Sequence, residues 1–76
     1  MVIAFVLCVT QAGKEKEVLE KLLRLKEVEE AHIVYGEYDV IAKIKLDDLK
    51  MLDTFIVDKI RVIEEIQVTS TMISSD

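Results

Sequence analysis

Two short polar runs carry the side chains of this 76-residue sequence that could bind a small molecule. One is the run 35–39, Tyr-Gly-Glu-Tyr-Asp, and the other is the run 69–71, Thr-Ser-Thr. A carboxylate attracts an ammonium group, whereas N–H and O–H donors bind a carboxylate. Asp39, the turn amides and the hydroxyls of Thr69 and Thr71 therefore match the two ends of a zwitterion. Since an amino acid is the commonest small zwitterion, these residues predict an amino-acid site.

The same two runs also have a structural explanation. Gly36 permits a tight turn with positive φ, and Asp39 at the exit of that turn could cap the turn amides. Threonine is a good strand former, so Thr69 and Thr71 could be ordinary residues of an edge strand. The residue types leave both explanations open.

Catalytic chemistry has little support in the residue types. His32 alternates with apolar residues in a predicted strand, which favours a structural or surface role. Cys8 lies among Val and Leu, where we expect a small buried thiol with a raised pKa. The sequence contains no recognisable Cys-His pair, serine signature or glycine-rich phosphate loop. We therefore predict no catalytic residue, no cofactor and no metal site.

Composition narrows the class of protein. A single cysteine excludes a disulfide scaffold, and 51% hydrophobic residues without proline exclude a disordered or low-complexity chain. The net charge of −5 disfavours binding to nucleic acid and to anionic membrane surfaces. The apolar run 2–9 is too short to span a membrane and follows no basic residues. We therefore expect a cytoplasmic protein, and its richness in Glu and Lys is typical of a thermophile.

Hydrophobic periodicity divides the chain into six elements. Strands are predicted at 2–10, 30–35, 40–46 and 63–73, and helices at 13–26 and 48–60. The two central strands and the turn between them form a β-hairpin. The order βαββαβ with right-handed crossovers predicts an α+β, ferredoxin-like fold, in which a four-stranded antiparallel sheet carries both helices on one face. We expect one domain over residues 1–76.

The first predicted strand indicates an oligomer because both of its faces are apolar. One face carries Ile3, Phe5, Leu7 and Val9, and the other carries Val2, Ala4, Val6 and Cys8. Two helices cover only one face of the sheet, so a second copy of the sheet is the natural cover for the other. We expect a face-to-face homodimer, a dimeric α+β barrel. Lys43 and Lys45 share one face of the third strand, where we expect them to stay hydrated or ion-paired.

The order and spacing of the two polar runs resemble those of the Lrp/AsnC family of regulators. Residues 36–39 followed by the apolar strand 40–44 are similar to the G-x-[YF]-D hairpin of that family. Residues 63–73 are similar to its closing strand, in which T-x-T precedes aliphatic residues. The resemblance covers essentially the whole chain and implies the C-terminal effector domain, called the RAM domain. Because the chain begins at Met1 with the first strand, we expect a stand-alone form without the helix-turn-helix domain.

The resemblance also implies a ligand and an assembly. RAM domains dimerise through their sheets, the dimers form rings that are often octamers or decamers, and amino-acid effectors bind between dimers. Carried onto this sequence, the ligand-binding residues are Gly36, Tyr38, Asp39, Thr69 and Thr71, with Tyr35 and Glu37 as neighbours. The implied partners are a free amino acid and full-length Lrp/AsnC regulators, whose rings the domain could join.

Two other functions remain compatible with the sequence. A ligand-free structural or assembly module would use Thr69 and Thr71 as ordinary edge-strand residues. Small dimeric α+β barrel enzymes share the architecture, but they use a pocket containing His, Trp or Tyr, and this sequence has one His and no Trp. The sequence names neither the amino acid nor the number of subunits.

Overall fold

The computed structural model describes residues 1–75 and has the predicted βαββαβ order. The strands are β1 (Val2–Thr10), β2 (Val28–Ile33), β3 (Val40–Leu46) and β4 (Ile66–Ile73). The helices are α1 (Glu15–Leu23) and α2 (Leu49–Phe55), and one π-helical turn (Ile56–Ile60) directly follows α2. All strand pairs are antiparallel in the order β2-β3-β1-β4, which confirms the ferredoxin-like fold.

The element boundaries differ from the prediction where a core residue or a turn overrides the local pattern. β2 was predicted at 30–35, but it begins at Val28, whose side chain packs in the core. It ends at Ile33, because the Val34 amide donates its hydrogen bond to the Asp39 carbonyl in the hairpin turn. β4 begins at Ile66 because a turn first buries Ile63 in the core. The bounds of β1 and β3 are those predicted.

The core lies between the helices and one face of the sheet. Its β1 contribution is Ala4, Val6 and Cys8, each at most 1% exposed. The start of α2 is fixed by Asp48, whose carboxylate accepts a hydrogen bond from the Met51 amide at 2.9 Å. The two helices and the π-helical turn contribute six apolar side chains to the same core: Val18, Leu22, Leu52, Phe55, Ile56 and Ile60.

The other side of the sheet, here called the open sheet face, has no helix over it. It comprises Ile3, Phe5, Leu7 and Val9 of β1 together with Val68 and Met72 of β4. The β1 residues are half-buried, and Val68 and Met72 are each 55% exposed. A single copy thus leaves one apolar face of the sheet in contact with water.

The predicted ion pairing of the β3 lysines is confirmed at the β2 side of the sheet. Glu29 lies 3.2 Å from the Lys43 ammonium and 3.1 Å from the Lys45 ammonium. Their hydrogen bonds, with Lys45 contributing most, lower the pKa of the Glu29 carboxyl. On the open sheet face, charge is therefore concentrated at β2 and β3, whereas β1 presents apolar side chains and β4 presents Val68, Ser70 and Met72.

A second ion pair ties α1 to the segment that leads into β4. The Lys21 ammonium lies 2.7 Å from the Glu65 carboxylate, whose side chain is only 19% exposed. The backbone carbonyl of Glu65 also accepts a hydrogen bond from the Gln11 amide at 2.9 Å. The bond to Lys21, followed by one from Glu65's own backbone amide, lowers the pKa of this carboxyl.

We expect the Glu65–Lys21 pair to stabilise the fold in a pH-dependent way. A carboxyl with a lowered folded-state pKa stabilises the folded chain above its ordinary pKa of 4.5, and this stabilisation is lost as pH falls through the folded value. Urea unfolding from pH 7 down to pH 2.5 should show Glu65→Gln less stable than wild type at pH 7, with a gap that closes at low pH. Glu64→Gln, at the exposed neighbouring residue, is the control and should be as stable as wild type. A gap of equal size at every pH would contradict the expectation.

Candidate functional site

Asp39 is held in place by both its backbone and its side chain. Its amide donates a hydrogen bond to the Cys8 carbonyl at 2.8 Å, and its carbonyl accepts one from Val34 at 2.9 Å. Its carboxylate accepts hydrogen bonds from the Thr10 amide at 2.9 Å and from the Thr10 hydroxyl at 3.4 Å. Thr10 is only 5% exposed, so this carboxylate satisfies a buried amide at the end of β1. Asp39 is thus a cap, and it caps β1 rather than its own turn.

The rest of the hairpin turn projects away from the core. Gly36 has φ +135°, a conformation that L side chains rarely adopt. Tyr35 is completely exposed, Glu37 is exposed and Tyr38 is half-buried. A single copy therefore presents a whole tyrosine side chain to its surroundings, next to a glycine with positive φ.

Thr69 and Thr71 lie side by side on the helix-facing side of β4, as their spacing predicts. Thr69 pairs with Cys8 and Thr71 with Val6 across β1. The same side of β4 carries Ile73, which is 52% exposed although its partner Ala4 is 1% exposed. The helices therefore cover β1 but leave β4 open, and the two threonines line this uncovered strip.

Two adjoining cavities, here called the β4 cleft, occupy the uncovered strip. One has a volume of about 360 Å³ and is lined by Arg61, Ile66, Gln67 and Thr69. The other has a volume of about 400 Å³ and is lined by Leu52, Asp53, Ile56, Val57, Arg61, Thr71 and Ile73. Both volumes are in the range of small-molecule sites.

The structure does not bring the two polar runs together within one copy. β1 lies between β3 and β4, so Val40 and Thr69 are two strand spacings apart, about 10 Å. Neither cavity of the β4 cleft is lined by a residue of the turn 35–39. A site that uses both runs therefore requires a neighbouring copy.

Sequence reasoning missed two charged residues of the β4 cleft, Asp53 and Arg61. Asp53 lies in α2, and Arg61 directly follows the π-helical turn; both line the second cavity. Within residues 1–75 neither side chain forms an ion pair. Arg61 lies beyond the predicted helix 48–60, and its place beside β4 depends on the π-helical turn.

The two residues considered for catalysis are placed as expected. Cys8 is fully buried, and its burial raises the pKa of the thiol to about 11. His32 lies at the surface of β2 with its ring 2.9 Å from the Glu30 carboxylate. In the part of the chain that the structure describes, no group of three or more His, Cys, Asp or Glu could hold a metal ion. No helix within residues 1–75 is long and apolar enough to cross a membrane.

A family model, the Lrp/AsnC ligand binding domain, matches residues 3–76. The chain belongs to the Lrp/AsnC family. The HTH-type transcriptional regulator FL11 of the thermophile Pyrococcus furiosus is 36% identical over 72 residues, which cover 95% of this chain and 47% of FL11. The chain spans about half the length of the curated Lrp/AsnC relatives that it matches.

Solved structures of the same fold include chains of high and of low sequence identity. FFRP-DM1 is 64% identical and superposes with a TM-score of 0.94, covering 97% of this chain and 99% of its own. A transcriptional regulator from Neisseria meningitidis, NMB0573, solved as a complex with L-Met, shares the fold with a TM-score of 0.88 at 17% identity. That match covers 99% of this chain and 50% of NMB0573.

We expect Asp39 to contribute to stability through its bonds to Thr10. Replacing it in Asp39→Ala leaves the buried Thr10 amide without its acceptor, which should cost about 1–3 kcal/mol. Asp39→Asn keeps an acceptor oxygen and should cost much less. Urea unfolding followed by circular dichroism measures both, with Glu37→Ala in the same turn as the control. An Asp39→Ala variant as stable as wild type would show that the cap is dispensable.

Proposed function

We propose that this chain is an amino-acid effector module of the Lrp/AsnC family. It binds a free amino acid between neighbouring copies, and ligand occupancy shifts the assembly or modulates a partner regulator. The observation that carries the proposal is the uncovered helix side of β4, where Thr69 and Thr71 line open cavities of about 360 and 400 Å³. Hydroxyl donors in a cavity of this size suit a small carboxylate ligand.

The separation of the hairpin from β4 supports a site shared between copies. A neighbouring copy that places its turn 35–39 against the β4 cleft would supply the Gly36 amide, the rings of Tyr35 and Tyr38, and Glu37. Asp39 uses its Oδ2 for Thr10, and its Oδ1 would face the ligand from the neighbouring copy. A ligand held by two copies stabilises the assembly that binds it, because it adds free energy only to that state.

The open sheet face supports a homodimer as the unit of that assembly. Its β1 side chains are apolar, and β4 adds Val68 and Met72 on either side of Ser70; a second copy related by a two-fold axis would cover this face. Such dimers would leave both hairpins and both β4 clefts at the periphery, free to meet other dimers. We expect these dimers to form octamers or decamers, as the resemblance to RAM domains implies.

The relatives support the ligand class and the regulatory role. NMB0573 is a transcriptional regulator solved with L-Met, and FL11 is a transcriptional regulator. We extend to this chain the binding of an amino acid and an action on full-length Lrp/AsnC regulators. The net charge of −5 supports a role without DNA binding by the domain itself. A buried Cys8 and an outward-facing His32 support a non-enzymatic role.

A ligand-free assembly module is the second candidate. The observation that favours it is the Asp39 carboxylate, which already serves as a cap of β1. In that case the hairpin and β4 would contact neighbouring copies directly. The two candidates differ in their response to added amino acids.

A thermal-shift screen against the twenty amino acids separates the two candidates. We expect one or a few amino acids at a hundredfold excess over Kd to raise Tm by about 10–20 °C. Such an excess contributes about 2.7 kcal/mol, and each kcal/mol shifts Tm by about 4–8 °C in a domain of this size. Light scattering on each hit should give a mass above that of a dimer. The nearly isosteric double variant Thr69→Val/Thr71→Val is the control and should lose the shift. A well-folded wild-type oligomer that responds to no amino acid would favour the assembly module.

A further inference from the structure

Two charged side chains of opposite sign line the β4 cleft together with Thr69 and Thr71. The cavity of about 400 Å³ is lined by Asp53, Arg61 and Thr71, and Arg61 also lines the adjoining cavity next to Thr69. Arg61 therefore lies beside both threonine positions. Asp53 lies eight residues earlier in the chain, in α2, and lines the larger of the two cavities.

The π-helical turn after α2 determines where Arg61 lies. The Arg61 amide donates to the Ile56 carbonyl at 2.9 Å, a bond that spans five residues instead of four. The wider turn brings Arg61 over Ile56, and both residues line the same cavity. π-helical turns inside helices occur frequently at functional sites, where they re-aim a side chain. Here the re-aimed side chain is a cation at the β4 cleft.

The charges of Asp53 and Arg61 are available to a ligand. Within the described residues neither side chain has an ion-pair partner, although four lysine–carboxylate ion pairs form there. A guanidinium presents a fork of donors that matches a carboxylate in two parallel hydrogen bonds. A carboxylate in turn attracts an ammonium group. The pair is complementary to the main-chain end of an amino acid in both charge and chemistry.

We propose that Arg61 binds the carboxylate and Asp53 the ammonium group of a free amino acid in the β4 cleft, with the Thr71 hydroxyl beside them. This assignment deepens the proposed function and rests on it. It differs from the assignment based on the hairpin, because the ammonium partner is Asp53 instead of Asp39. The hairpin of a neighbouring copy then covers the ligand without supplying its main charge contact.

The remaining wall of the cleft selects the ligand side chain. It is aliphatic and consists of Leu52, Ile56, Val57 and Ile73. Val57 and Ile73 are 55% and 52% exposed, so apolar surface remains to be buried by a ligand. The cleft therefore favours an amino acid with an aliphatic side chain over one with a charged side chain.

Calorimetry with L-leucine and two of its analogues tests the assignment. The analogue 4-methylpentanoate lacks the ammonium group, and 3-methylbutylamine lacks the carboxylate. We expect Arg61→Gln and Asp53→Asn each to weaken L-leucine binding at least tenfold. Asp53→Asn should leave 4-methylpentanoate binding unchanged, and Arg61→Gln should leave 3-methylbutylamine binding unchanged. The matched controls, Arg24→Gln on α1 and Asp58→Asn on another side of the helix, should bind L-leucine like wild type.

The outcomes separate this assignment from the proposed function. L-leucine binding that both cleft variants retain, but that Asp39→Asn loses, overturns the assignment and leaves amino-acid binding intact. Binding of a charged amino acid in place of L-leucine contradicts the inference that the aliphatic wall selects the ligand side chain. A folded wild-type chain that binds none of the twenty amino acids contradicts the proposed function, and the assignment with it. Melting curves without ligand establish that each variant is folded.

Discussion

Two helices cannot cover both faces of a four-stranded sheet, and this constraint shapes the whole molecule. The helices bury Ala4, Val6 and Cys8 on one side of β1. The other side of β1, with Val68 and Met72 of β4, stays apolar and partly exposed in a single copy. The hydrophobic effect therefore favours a second copy over this face. With a second copy in that position, the outer surfaces would remain the places for a ligand.

The two helices also leave the helix-facing side of β4 uncovered, and this uncovered strip forms the β4 cleft. Ile73 is half-exposed beside a fully covered Ala4, because the helices lie over the inner strands and not over the edge strand β4. The strip that results combines hydroxyl groups, an aliphatic wall and two charges of opposite sign. The hairpin turn lies elsewhere in the same copy, and Asp39 is engaged with Thr10. A ligand site at the cleft and a covering hairpin from a neighbour are therefore consistent with each other and with ligand-dependent assembly.

The sequence predicts what depends on local periodicity and misses what depends on distant contacts. The bounds of β1 and β3, the fold and the shared face of Thr69 and Thr71 follow from alternation. The Asp39–Thr10 bond joins residues 29 apart, so only the folded chain reveals it. Arg61 was missed because its position depends on a π-helical turn, which hydrophobic periodicity does not predict. Whether a charge on a helix matters also depends on which strand the helix leaves uncovered.

The most direct test of this account is the mass of the protein in solution. Sedimentation equilibrium should give wild type at least twice the 8.7 kDa of one chain, because a second copy covers the open sheet face. Leu7→Glu places a charge in the middle of that face and should yield a folded monomer, whereas Leu23→Glu on α1 should keep the wild-type mass. A wild-type protein that remains a stable, folded 8.7 kDa monomer at tens of micromolar would contradict the account.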